Sequence, residues 1–192
     1  MRVIGIASSK GGVGKTTTTV NLSIALAQFN KSVTVVDCNI TTPHLAMYFG
    51  IYFPASTINK VLRDEVTIEQ AIYNHFSGVN ILPASLTLND MKDIDINKLG
   101  TLLKKITDVD FLLLDTAPGL GKEALSVLKH VKELIIVTTP DIVAVVDAMR
   151  YKKIVEDLGI NIVGLVVNMV TGKSYELTLQ EITKITGLDI IG

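Results

Sequence analysis

The chain has 192 residues, of which 48% are hydrophobic and 19% charged, with a formal net charge of −1. That apolar share can fill the core of one domain, which excludes a disordered or low-complexity chain. The near-neutral charge excludes a globally basic nucleic-acid binder, and a charged share below the usual ~25% predicts that a partner subunit covers part of the surface.

The chain opens on an apolar run, Val3–Ala7, that leads straight into a glycine-rich loop and then a helix starting near Gly14. The run is too short and wrongly flanked for a signal peptide, and no apolar stretch reaches the ~18 residues needed to span a bilayer, so the expected location is cytoplasmic. Further strands are predicted at Val33–Asp37, Val79–Leu82, Phe111–Asp115, Leu134–Thr138 and Ile162–Val167. Most are continuous apolar runs rather than alternating ones, the pattern of parallel strands buried on both faces. Between them, helical spacing appears in Ile96, Leu99, Leu102, Leu103 and Ile106, in Ala124, Leu125, Leu128 and Val131, and in Ile154, Val155 and Leu158. The Tyr48–Asp64 stretch, with Pro54, is the least regular. Leu188–Gly192 reads as the opening of another strand, which points to a chain cut short after Gly192. Strand–helix alternation predicts an α/β fold over residues 1–192, a single domain in which a mostly parallel sheet carries helices on both faces and binds its ligand at the carboxyl ends of the strands.

The strongest motif is Ser9-Lys10-Gly11-Gly12-Val13-Gly14-Lys15-Thr16-Thr17. Placed between strand and helix, it fits a phosphate-binding loop. Gly11, Gly12 and Gly14 let successive backbone N–H groups turn inward, and the positive end of the following helix adds to that nest. Lys15 is placed to reach the β- and γ-phosphates, and the Thr16 hydroxyl to ligate Mg²⁺, a hard cation that prefers oxygen. Ser9 stands where the usual pattern begins with glycine. A plain glycine-rich turn and a dinucleotide-binding turn are the competing readings. The second wants Gly-x-Gly-x-x-Gly, which Thr16 and Thr17 interrupt, and leaves Lys15 without a task. A phosphate loop also needs an acidic partner on a neighbouring strand. Phe111-Leu112-Leu113-Leu114-Asp115 ends in such a carboxylate, followed by the turn Thr116-Ala117-Pro118-Gly119; a helix-capping Asp is the plainer alternative.

Lys10 is a second cation immediately before the glycines. With it, Lys-Gly-Gly-Val-Gly-Lys-Thr-Thr resembles the deviant phosphate loop of the ParA/MinD ATPases, a SIMIBI-type group of P-loop NTPases. Ile40-Thr41-Thr42-Pro43 and Asp115-Thr116-Ala117-Pro118-Gly119-Leu120-Gly121 look most like the MinD-like ATPases of archaea. The resemblance implies that Lys10 crosses a dimer interface to the phosphates bound by the other subunit. It implies that Asp115 holds Mg²⁺ through water and that Asp37 lies near the metal; a strand-end or ribose-binding carboxylate is the alternative for Asp37. It further implies that Lys10 through Thr17 bind ATP or ADP and that Asn168 hydrogen-bonds adenine, although Asn168 also suits a strand-terminal turn. The family's first switch usually reads Asp-x-Asp, and its second Asp positions the attacking water. Asn39 stands there in this chain, so hydrolysis is slowed, is carried by Asp37, or has been removed. Asp147 resembles a family Asp that pairs with the signature lysine or with a partner protein; a solvated helix carboxylate is the competing reading.

The expected function is therefore an Mg²⁺-ATP-dependent dimerisation switch with a protein activator or cargo, acting in spatial positioning or partitioning, peripherally at membrane or nucleoid. The alternative is a non-hydrolysing ATP sensor or scaffold. Membrane binding is not legible in these residues, and DNA binding has only the small patches Lys129/Lys132 and Arg150/Lys152/Lys153 to support it. Cys38, the only cysteine, rules out a disulfide and leaves iron–sulfur and nickel-insertion roles without a Cys pair. His44, His75 and His130 show no metal-ligand spacing.

Overall fold

The computed structural model describes residues 1–92 and 94–192. Its seven strands form one sheet: β1 (Arg2–Ala7), β2 (Val33–Cys38), β3 (Tyr73–Asn74), β4 (Val79–Leu82), β5 (Phe111–Thr116), β6 (Glu133–Thr138) and β7 (Asn161–Val167). The order across the sheet is β3-β4-β2-β5-β1-β6-β7, and every pairing is parallel except β3 with β4. All six strands expected from the apolar runs are present, with ends that differ by no more than one residue. The additional strand, β3, is a two-residue pairing held against β4, too short to leave a periodic signal.

The helices are α1 (Lys15–Gln28), α2 (Leu45–Tyr48), α3 (Ile58–Leu62), α4 (Ile68–Ala71), α5 (Leu99–Leu103), α6 (Lys122–Leu128), α7 (Ile142–Asp157) and α8 (Leu179–Thr186). Successive strand residues feed opposite faces of the sheet. Val33 and Val35 of β2 and Leu113 of β5 pack with Val20 of α1 and Leu45 of α2. Val36 and Cys38 of β2 and Leu112 and Leu114 of β5 pack on the other face with residues of α3 to α8. Two-sided burial explains why β5 is continuously hydrophobic up to Asp115 and why β2 is mostly so, with Thr34 and Asp37 as its polar exceptions.

Two expectations about the helices change. The apolar stripe of α7 is Ala144, Val145, Ala148, Tyr151 and Val155, while Ile154 and Leu158 are exposed. The helix is as expected, but its buried face is turned to the side that carries Ala144, Ala148 and the fully buried Tyr151. The irregular Tyr48–Asp64 stretch holds the end of α2 and all of α3. Helix α3 is set by Thr57, whose hydroxyl accepts from the Lys60 N–H, and by Asn59, whose amide bonds the 85–90 loop.

The segment from Leu188 lies parallel to β7, with Leu165 N–H donating to Asp189 O (2.8 Å), Ile191 N–H to Leu165 O (2.9 Å) and Val167 N–H to Gly192 O (2.8 Å). Gly164 makes this approach possible: a Cβ there would stand 2.5 Å from Ile191 Cγ2 and 3.0 Å from the Asp189 carbonyl oxygen. The expected strand opening is met only as one isolated parallel bridge, Leu165 with Ile190. β1 sits in the middle of the sheet, between β5 and β6, so the loop after it emerges at the carboxyl edge beside the ends of β2, β5, β6 and β7.

Candidate nucleotide-binding site

The loop after β1 reaches α1 through two glycines in the left-handed region, Gly12 (φ 79) and Gly14 (φ 97), the second forming the N-cap of α1. A side chain would be strained at both positions. Gly11 and Gly12 have open space where a Cβ would stand, so the curled backbone faces a cleft rather than packed protein. That cleft, of about 380 Å³, is lined by the loop glycines with Lys15, Thr16 and Thr17, by Asn39, Thr42, His44 and Tyr48 after β2, by Pro118 after β5 and by Met169 after β7.

Strand register brings the two carboxylates together, because Asp37 of β2 and Asp115 of β5 are direct neighbours. The Thr16 hydroxyl donates to Asp115 Oδ2 at 2.6 Å. Thr19, one turn into α1, donates to the Lys15 carbonyl at 3.0 Å and stands 3.4 Å from Asp115 Oδ1. Asp115 is 1% exposed, and burial pushes its carboxyl up to about 6 against the pull of Thr16 and Lys15. The Lys15 ammonium is shifted the other way, lowered chiefly by burial and partly restored by Asp115. Two hard oxygens converging beside a desolvated cation form a donor set that fits a Mg²⁺-bound polyphosphate. Binding one would satisfy charges that burial leaves costly.

Asp37 lies behind this pair. Burial, then the charge of Asp115, pushes its carboxyl well above the usual range. Its Oδ1 accepts from Asn39 N–H and its Oδ2 from Leu45 N–H, both at 3.1 Å. Asp37 therefore fastens both ends of the loop between β2 and α2 as well as standing beside Asp115 on the neighbouring strand. Asn39 lines the cleft, yet its amide is tied to its own loop: Nδ2 donates to Thr42 O (2.6 Å) and Oδ1 accepts from the Thr42 hydroxyl (3.1 Å). The same loop is tied to α6 by Glu123, whose carboxylate accepts from Thr41 N–H (3.1 Å) and from the Thr41 hydroxyl (2.8 Å). The turn after β5 meets the phosphate loop directly, through Gly119 N–H donating to Ser8 O at 2.9 Å.

Asn168, at the end of β7, donates from Nδ2 to Val13 O at 2.9 Å, so the expected base-binding amide also touches the phosphate loop. Lys10 is exposed and forms no ion pair among the described residues. Its charge acts on Asp141, the N-cap of α7, whose carboxyl is lowered first by the Thr139 hydroxyl. Asp147 instead faces Arg150, one turn along α7, at 3.8 Å. Lys152 of the expected basic patch donates to the Thr186 and Gly187 carbonyls, capping the carboxyl end of α8, which leaves that patch smaller than its sequence suggests.

The sequence reading missed Thr42, His44, Tyr48 and Met169 as lining residues. Tyr48 reaches Thr17, hydroxyl to hydroxyl, at 3.5 Å. Met169 adopts φ 60, rare for a side chain of that size, immediately beside Asn168. No motif marks either residue, and only adjacence to Asn168 could have pointed to Met169.

A central strand, a glycine-built anion nest, a buried Lys15 and Asp115 joined by Thr16, and a mostly parallel sheet together define a P-loop nucleotide-binding domain. The chain belongs to the ParA family, described as NUBPL iron-transfer P-loop NTPase, which it matches over residues 1–182. It is 38% identical over 190 residues to the ATP-binding protein MJ0547 of Methanocaldococcus jannaschii, covering 98% of this chain and 72% of that one. Among solved structures it is similar to the septum site-determining protein MinD of Pyrococcus horikoshii in complex with Mg-ADP, with a TM-score of 0.94 and 31% identity over 98% of this chain and 79% of that one. It is also similar to the MinC:MinD cell division protein complex of Aquifex aeolicus, with a TM-score of 0.89 and 29% identity over 100% of this chain and 80% of that one. The family is one of P-loop NTPases, the similar MinD of Pyrococcus furiosus is a cell division ATPase, and Mg-ADP is the ligand of the Pyrococcus horikoshii protein.

Proposed function

We propose that this chain is an Mg²⁺-ATP-dependent dimerisation switch that acts in spatial positioning or partitioning. The observation that carries the reading is the contrast between its two loop lysines. Lys15 is 8% exposed, beside Asp115 in its own cleft, whereas Lys10, at the rim of the same loop, is exposed and without an ion pair among the described residues. A lysine in that position suits phosphates held by a second copy, where a charge supplied in trans stabilises oxygens that become more negative in the transition state.

Within one subunit, the Gly11, Gly12 and Gly14 backbone receives the phosphates, and Lys15 contacts the β- and γ-oxygens. Thr16 and Asp115 would hold the magnesium, while Asp37 braces the adjoining loop. Bound Mg²⁺ neutralises charge on the phosphate oxygens. Asn168 reads adenine. The chemistry is positioning and charge neutralisation. A protein activator or cargo, cytoplasmic placement and peripheral attachment to membrane or nucleoid complete the reading; no described helix is long and apolar enough to cross a membrane.

Two results test this function. Light scattering is expected to show a dimer with Mg·ATP and a monomer without it, and Lys10→Ala should remove the nucleotide-dependent dimer; a dimer formed equally without nucleotide rejects the switch. Asn39 favours a second reading, a slow or non-hydrolysing sensor, because a neutral amide tied to Thr42 supplies no carboxylate at the expected water position. Asn39→Asp should then raise phosphate release about tenfold or more. Equal rates would remove the argument from Asn39.

A further inference from the structure

We propose that Asn168 is a positioning residue for the phosphate loop, directing the Gly14 amide into the anion nest by holding the Val13 carbonyl. The inference rests on the nucleotide-site reading above. It adds to that reading a mechanical link between the base end and the phosphate end of the cleft.

The link joins the end of β7 to the loop after β1, two strands away in the sheet. Asn168 and Val13 are 155 residues apart in sequence, and Nδ2 donates to the Val13 oxygen at 2.9 Å. Asn168 is firmly placed to do this: its own N–H donates to Thr138 O of β6 at 2.8 Å, and the preceding Val167 N–H donates to Gly192 O at 2.8 Å. The side-chain amide has one productive orientation. Turned over, it would set Oδ1 against the Val13 carbonyl oxygen, two acceptors with no proton between them.

The peptide joining Val13 to Gly14 is planar and trans, so its C=O and N–H point in opposite directions. Fixing Val13 O on Asn168 therefore turns the Gly14 N–H away from Asn168, toward the loop's concave side. Gly14 is the left-handed residue (φ 97) that starts α1, and a Cβ on it would overlap the Asn168 amide nitrogen. The absent side chain and the amide hydrogen bond thus belong to one arrangement, in which Asn168 fills the space that only glycine leaves. The remaining Nδ2 hydrogen and Oδ1 stay free for the adenine edge.

The two roles separate cleanly with a ligand that has phosphates and no base. Calorimetry is run on the intact chain with Mg·ATP and with magnesium tripolyphosphate, comparing the parent with Asn168→Ala and Asn168→Leu. Leucine fills the same space without a donor, so it carries the test if the alanine variant does not unfold cooperatively in urea. Loss of one orienting hydrogen bond is expected to weaken tripolyphosphate about tenfold in either variant, with ATP weakened more because the base contact goes as well. Tripolyphosphate affinity unchanged while ATP affinity falls would overturn the proposal and leave Asn168 as a base reader alone. A parent chain that binds neither ligand would defeat the nucleotide-site reading itself, and this inference with it.

Discussion

Gly14→Ala is expected to weaken Mg·ATP binding about a hundredfold or more while leaving the sheet intact. Two independent costs add at this position. Alanine at φ 97 is in the left-handed region that L-residues avoid, at about 1–2 kcal/mol. Its Cβ would also overlap the Asn168 amide, so either Asn168 withdraws or the Val13–Gly14 peptide rotates. Withdrawal removes the hydrogen bond to Val13, and rotation turns the Gly14 N–H out of the nest. Each route takes away a preorganised donor, worth about 1.5–3 kcal/mol when its acceptor is charged. In the empty variant the loop relaxes to escape the strain and the overlap, and ligand binding must reverse that relaxation without the lost donor, at about 3 kcal/mol or a hundredfold. Calorimetry with Mg·ATP reads the loss, and circular dichroism confirms the fold. An alanine variant that binds as tightly as the parent would show that the nest is not built on this glycine.

The fold was legible because its physics is local and repetitive. Burial on both faces makes the middles of β5 and β6 continuous apolar runs, and the glycines that free the loop after β1 are written in order in the chain. That Lys15, Thr16 and Asp115 come together was legible for the same reason: the loop motif and the strand-end carboxylate are written in the chain, and the strand register does the rest. What sequence could not give is side-chain engagement across the sheet. Nothing in the chain announces that Asn168 meets Val13, that Glu123 holds Thr41, or that Asp37 grips the backbone at both Asn39 and Leu45. The turned face of α7 was missed for a related reason. Ile154 and Leu158 look like core by size, but the face that packs inward is the one through Ala144, Ala148, Tyr151 and Val155, so hydrophobicity alone did not fix the rotation of the helix. Lys10 was resolved only in part, since its exposure belongs to one subunit and its proposed task to two.

Asp115→Asn should make the nucleotide-free protein more stable at pH 7, by about 3 kcal/mol, and at the same time remove the stabilisation that Mg·ATP confers. The sign follows from the proton count. Burial raises the Asp115 carboxyl from 3.8 in the unfolded chain to about 6 in the folded one. Between those values the folded state holds a proton that the unfolded state has released, so stability falls as pH rises through the window. The cost of ionising a buried carboxylate is then fully present above pH ~6, where a shift of about two units corresponds to about 3 kcal/mol. Asp37, its neighbour on β2, is raised for the same reasons and slopes the same way. The amide of the variant keeps an oxygen for the Thr16 hydroxyl and has no charge to desolvate. Its advantage over the parent in urea unfolding with EDTA should therefore be small at pH 4 and level off above pH 6. Magnesium reverses the order, because the charge that weakens the empty fold is the charge the cation needs. Adding Mg·ATP should raise the melting temperature of the parent and barely move that of the variant. A parent protein more stable than Asp115→Asn at pH 7 without ligand would mean that Thr16 and Lys15 compensate the buried charge in full, and that the site is not held in wait for a cation.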